Sequence, residues 1–199
     1  MYKLSKSAKI WLFILVVASV FWLGGINVRA LIGNELLNYD EFSFRTNIPQ
    51  DEENMVFKMI SYSSVLIMIS YLVTFLSAIF FAVTSKIKLR ENGWYLMCIM
   101  LFFVFSPVEF YTYFLDLKFI LLYYSRPVNH DGLEKLFGER IGFLKGVPWI
   151  AMLSYYAIIF IAVFQPMKKS KRELLEERNK KNEQDYEYFL HEDDDIIHD

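Results

Sequence analysis

The sequence predicts an all-α integral membrane protein: a four-helix bundle with an extended second and third helix, ending in a cytoplasmic helical tail. Three observations carry this. First, 55% of the 199 residues are hydrophobic, and they gather in four runs that each reach or approach the roughly twenty residues needed to cross hydrocarbon. Second, basic residues cluster at the three places that a four-span chain puts on one side of the bilayer. Third, there is one cysteine, Cys98, and it sits inside an apolar run, so no intramolecular disulfide, zinc site or redox pair is available. That chemistry excludes the four-span families that staple their outer loops with cysteine pairs, namely the claudin-, connexin- and tetraspanin-like ones. A net charge of −2 removes any general draw toward nucleic acid.

The four spans are expected at about 10–32, 55–84, 93–124 and 147–165 within a transmembrane domain covering 1–166. The first follows Lys3, Lys6 and Lys9 and is apolar except for Ser19, Asn27 and Arg29. It is too long for a signal peptide, and no small-residue cleavage pattern precedes Asn27, so an uncleaved span is expected. Trp11 and Trp22 are read as lipid-facing or packing aromatics. The connection from Gly33 to Asn54 is acidic and broken at Asn47-Ile48-Pro49, with Asp51 or Asn54 as the cap of the next helix. That helix is longer than a bilayer requires. It carries Ser63, Ser70, Thr74 and Ser77 on one stripe beside Ser61, Ser64 and Tyr71, a seam where helices approach closely and hydroxyls bond across the contact.

Lys86, Lys88 and Arg90 make a basic turn before the third span, which runs from Gly93 toward Tyr124 and overshoots the membrane. Inside it, Ser106, Glu109, Thr112, Tyr113 and Asp116 share one face by helical spacing. Leu133–Leu144 has an amphipathic pattern, with Leu133, Leu136, Phe137, Ile141 and Leu144 opposed to Glu134, Lys135, Glu139 and Arg140. Such a helix lies at the interface or caps the bundle. Pro148 is tolerated in the first turn of the fourth span and Pro166 ends it. Lys168, Lys169, Lys171 and Arg172 then contact lipid headgroups. Ser170 and Glu173 form a capping box for a charged helix, with Glu176–Lys180 and Glu177–Lys181 as stabilising pairs. The domain 167–199 closes on an acidic segment containing Tyr186, Tyr188, Phe189 and Leu190, which suits a cytosolic partner.

Dense positive charge at the amino terminus, the 86–90 turn and the 168–172 run places both termini in the cytoplasm, across a plasma (inner) membrane. Counting rise along the helices puts Glu109 about 22 Å above Trp94, in the outer half of a core roughly 30 Å thick. At similar height lie Ser70 and Tyr71, Gly24, Gly25 and Asn27, and Ser154 and Tyr155. Arg29 is slightly higher and is the expected counter-charge for Glu109, while Asp116 lies nearer the outer surface. A charge held in lipid must face protein or water. This polar layer therefore either fixes helix register and docks a neighbouring subunit, or serves as a proton- or cation-responsive site. A single acid with no second one across the inner half is a poor relay.

No histidine falls in a span, since His130, His191 and His198 lie elsewhere, so axial haem ligation is excluded. The pattern shows no phosphate-binding glycine loop and no nucleophile elbow. No cofactor, metal or catalytic residue is expected. The expected function is a non-catalytic membrane subunit of a larger complex, with other membrane subunits, lipids and a cytosolic protein as partners. The alternative is an ion- or proton-coupled channel or transporter component using Glu109, and a membrane-embedded enzyme is third.

Overall fold

The computed structural model describes residues 4–38, 43–45, 48–125, 129–142 and 147–170, and beyond these 172, 173, 175, 176, 179, 180, 182 and 183. Lys171, Glu177, Lys181 and the acidic end with its aromatic residues lie outside the described residues. Five helices run in the order α1 (Lys6–Asn34), α2 (Gln50–Ser85), α3 (Gly93–Tyr124), α4 (His130–Gly142) and α5 (Val147–Phe164). Between α1 and α2, strands β1 (Leu37–Asn38) and β2 (Ser43–Phe44) pair antiparallel, with Leu37 opposite Phe44.

Four of the helices (α1, α2, α3 and α5) are long and apolar enough to cross a membrane, so this is an integral membrane architecture. The 36 residues of α2 and the 32 of α3 make them the longest. At 1.5 Å per residue α2 reaches about 54 Å, well past the hydrocarbon. The bundle has two unlike ends. One carries the start of α1, the turn between α2 and α3, and the end of α5; here it is called the basic face. The other carries the hairpin and α4, and is called the capped face.

Local chemistry sets the helix ends. Ser5 caps α1, its hydroxyl accepting from the Ala8 N–H at 3.1 Å. Neither expected cap begins α2. That helix starts one turn earlier, behind Pro49, and Asp51, Glu52 and Glu53 fill its first turn instead. There they oppose the positive end of the helix dipole, which does the work that a side-chain cap would have done. Asn54 is thereby inside the helix. At the other end Lys86 adopts a left-handed conformation (φ 50°) and stops α2. Pro107 sits inside α3 without ending it.

Packing along α2 is closest with α1. The buried face of α2 alternates large and small residues: Phe57, Ile60, Ser61, Ser64, Ile67, Ser70, Tyr71, Thr74 and Ser77. The small residues do line a seam. Their hydroxyls, however, turn back on their own helix: Ser64 donates to Ile60 O at 2.6 Å, Ser63 to Ile60 O at 2.9 Å, and Thr74 to Ser70 O at 2.8 Å. A carbonyl one turn back is always within reach of a serine or threonine side chain, whereas a partner across the seam must be placed. At Gly25 α1 approaches α2 too closely for a side chain. A Cβ on Gly25 would stand 2.8 Å from Ile67 Cγ1.

Three apolar clusters stack from face to face. Ala8, Phe81 and Tyr95 lie at the basic face. Trp22, Tyr71, Phe102, Tyr113 and Tyr155 fill the middle, and Leu36, Phe57, Phe119, Leu133 and Phe137 join α4 to the long helices at the capped face. Trp22 is thus a packing aromatic, and Trp11 stacks on Phe80 with ring centroids 4.5 Å apart. At the basic face an isolated bridge joins Asn92 to Lys168. Beyond it the expected capping box forms: Ser170 N donates to Glu173 Oε2 at 2.7 Å and Glu173 N to Ser170 Oγ at 3.2 Å.

Candidate functional site

The polar face of α3 is buried over three turns. Ser106, Glu109, Thr112, Tyr113 and Asp116 are all withdrawn from the surface, and Asp116 is fully enclosed. They fall into two layers with different chemistry.

The layer nearer the capped face is ionic. Asp116 accepts from Arg29 Nη1 of α1 through Oδ2. Its other oxygen, Oδ1, lies 2.7 Å from Arg140 Nε of α4, an ion pair by distance whose angle departs from hydrogen-bond geometry. Three helices therefore meet on one carboxylate. Arg29 is 3% exposed, so its charge depends on this partner. The sequence pattern assigned Arg29 to Glu109; the structure gives it to Asp116, two helical turns further along α3. It also set Arg140 on the polar side of α4, opposite the apolar stripe. Arg140 instead reaches inward, because the apolar stripe of α4 docks on Phe57 and Phe119 and carries the flanking arginine with it. Such a long side chain can lay its stem along an apolar surface and deliver its head to a buried acid.

The deeper layer holds Glu109, 7% exposed. Among the described residues no cation lies within ion-pair distance of it. Its electrostatic neighbours are Arg140, Asp116 and the hydroxyl of Tyr155. Tyr71 and Tyr113 also face it, so a carboxylate and three phenols share one pocket of the bundle. Tyr113 donates to Ile67 O at 3.1 Å. The hydroxyls of Tyr71 and Tyr155 are buried without a hydrogen bond of good geometry, as is Trp22 Nε1. Across the two layers two bases, Arg29 and Arg140, stand against two acids, Asp116 and Glu109.

Beneath Glu109, toward the basic face, aromatic rings close the bundle. Trp22 packs at 4.6 Å from Tyr155 and 4.8 Å from Tyr71, with Phe102 edge-on at 6.5 Å. The remaining members of the expected layer stand outside or beside it. Ser106 donates to Phe102 O and Thr112 to Glu109 O, both at 2.9 Å, so neither hydroxyl serves the carboxylate. Ser70 is buried on the α2 seam. Asn27 is exposed and bonds Leu23 O at 2.8 Å and the Tyr156 hydroxyl, tying α1 to α5 on the outside of the layer. Ser154 turns its hydroxyl to Ile150 O at 2.9 Å. Height alone had grouped Ser70, Asn27 and Ser154 with Glu109, and helix rotation, which a rise count does not contain, separates them.

On the capped face, His130 Nδ1 lies 3.0 Å from Glu53 Oε2 and its Nε2 lies 3.4 Å from Gln50 Nε2. On the basic face, Lys168 Nζ donates to Gln165 Oε1 at 2.6 Å, the Lys169 N–H donates to Glu91 O at 3.3 Å, and Arg172 pairs with Glu176 at 3.0 Å. Comparison with models of known families, with curated proteins and with solved structures finds no match to this chain.

Proposed function

We propose that this chain is a non-catalytic integral membrane subunit that docks partner subunits of a larger complex through the projecting ends of α2 and α3. One observation carries the proposal. Counting about twenty residues from the basic ends of these helices, the hydrocarbon ends near residue 65 of α2 and residue 113 of α3. Past those points apolar side chains still face outward: Met55, Met59 and Tyr62 on α2, and Leu117, Leu121 and Tyr124 on α3. Tyr62 and Tyr124 are neighbours, so the two rows form one patch. Leu121 is 64% exposed and Met55 62%. Apolar surface that lipid does not cover marks a protein interface. A partner with an apolar, membrane-proximal surface suits it, and the basic face then lies in the cytoplasm of a plasma (inner) membrane.

Purification in mild detergent followed by mass spectrometry tests this. The expected result is stoichiometric co-purification of another membrane protein, lost on Met59→Glu or Leu121→Glu with the chain still inserted. A solitary monomer from wild-type membranes, or partner recovery unchanged in both variants, rejects it.

The alternative, an ion- or proton-coupled channel or transporter component, draws on Glu109, the buried acid that lacks an ion-pair partner among the described residues.

A further inference from the structure

Between the aromatic plug and the basic face the bundle is not filled. A cavity of about 820 Å³ lies there, within the size range of sites that enclose small-molecule ligands. Its walls are mostly hydrocarbon, drawn from Leu12, Leu15, Phe81, Ile99 and Ile158 among others, with the hydroxyls of Ser19 and Thr74 bonded to their own helices, and its ceiling is Trp22 and Tyr155. α1 and α5 meet at Trp22–Tyr155 and at Asn27–Tyr156, and the cavity separates them from there to the basic face.

We propose that this cavity binds one anionic phospholipid from the leaflet on the basic face, with an acyl chain under Trp22 and Tyr155 and the headgroup on Lys168 and Lys169. The depth supports this occupant. From Gln165 to Tyr155 along α5, and from Asn92 to Phe102 along α3, the rise is about 15 Å, half of a hydrocarbon core roughly 30 Å thick. An acyl chain of one leaflet has that reach. The lining supports it too. Water finds few hydrogen-bond partners on such walls, and an empty space of this size forfeits the dispersion contacts of everything that lines it.

The mouth selects the headgroup. Lys168, Lys169, Gln165, Asn92 and Glu91 border it. Glu91, its acid, is held by Lys88 at 3.1 Å, and Lys168 bonds a neutral amide oxygen, so the Lys168 ammonium keeps its charge for a phosphate seated there. The turn that presents the lysines is fixed by the Asn92–Lys168 bridge and by left-handed residues at Gln165 and Met167.

The test is native mass spectrometry of the full chain, delipidated in detergent and titrated with phosphatidylglycerol or phosphatidylcholine of identical acyl chains. The expected result is a single saturating phosphatidylglycerol adduct per chain. Each lysine beside an anionic headgroup contributes about a factor of five, so phosphatidylglycerol should bind at least about tenfold tighter than phosphatidylcholine. Ala162→Phe, which fills the cavity from α5, should abolish the saturating adduct. Lys168→Gln with Lys169→Gln, at the mouth and not under the aromatic ceiling, should bring phosphatidylglycerol down to the phosphatidylcholine level. Adducts that climb stepwise without saturating, equal affinity for the two lipids, or full selectivity in the double lysine variant would each overturn the proposal.

Discussion

Single atoms decide which substitutions this bundle tolerates, and two glycines of α1 show it. A methyl group on Gly24 meets nothing within 4 Å, whereas one on Gly33 would stand 2.5 Å from the Phe137 ring of α4. Gly24→Ala should therefore stabilise the protein by about 0.5–1 kcal/mol, the usual gain for replacing a helical glycine. Gly33→Ala should lose more than that gain, about 1–3 kcal/mol from overpacking, since a ring cannot bend away as a flexible chain end can. Thermal unfolding in detergent distinguishes them; a Gly33→Ala variant as stable as Gly24→Ala would refute the close α1–α4 contact. A pH effect belongs to the same face. Partial burial, and then the Glu53 carboxylate beside it, hold Glu134 above the ordinary carboxylate range. Folded Glu134 keeps its proton to a higher pH than the unfolded chain does, so stability falls as pH rises from the ordinary carboxylate range through the folded value. Glu134→Gln should be indistinguishable from wild type in acid and more stable above that window, read as a gap in melting temperature that opens with pH. Parallel profiles would dismiss the coupling. None of these contacts was legible in the sequence, because each depends on which rotation α1 and α4 adopt against each other.

At the scale of the helix, legibility was much better where length and hydropathy alone set the answer. The third helix begins at Gly93 and ends at Tyr124 as its pattern implied, because an asparagine turn precedes it and Arg126-Pro127 follows. The first and second helices extend beyond their apolar runs, since polar residues past the hydrocarbon continue a helix at no cost. Strands of two residues carry no periodic signal, and the hairpin was accordingly missed. The position of α4 was half legible: its apolar stripe is visible, but the inward turn of Arg140 is not. Isolated, this 13-residue helix with internal glycines would be marginal. Its docking rests on Leu133 and Phe137 and on the Asp116 ion pairs. Asp116→Asn leaves Arg29 buried without a counter-charge and should cost about 3–5 kcal/mol. Amide exchange in 130–142 should rise with it, and unchanged protection there would show that the ion pairs do not hold α4. Arg29→Met, Asp116→Leu and Arg140→Met combined should recover most of the loss, because an apolar set of similar volume removes the desolvation penalty along with the attraction.

For the molecule as a whole, the order of the layers bears on whether anything crosses it. From the capped face inward come an apolar cap, the Arg29–Asp116–Arg140 ions, Glu109 among its tyrosines, an aromatic plug, and an apolar cavity opening on the basic face. A proton reaching Glu109 from the capped side must pass two guanidinium groups, which repel it. Leaving toward the basic face, it meets Trp22, Tyr71 and Phe102 in mutual ring contact and then a cavity lined mostly by hydrocarbon. Proton transfer needs a continuous chain of hydrogen-bonding groups, and over the roughly 15 Å below the plug the hydroxyls of Ser19 and Thr74 are turned onto backbone carbonyls of their own helices. The expected outcome is that the purified chain, reconstituted into vesicles under a pH gradient, leaks protons no faster than empty vesicles. Glu109→Gln should leave that background unaltered. Flux above background that disappears in Glu109→Gln would transfer the functional assignment to the transport alternative. Flux absent from wild type and from Glu109→Gln that appears on Trp22→Ala would instead identify the aromatic plug as the barrier, consistent with a bundle sealed by packing and stabilised in register by its buried charges.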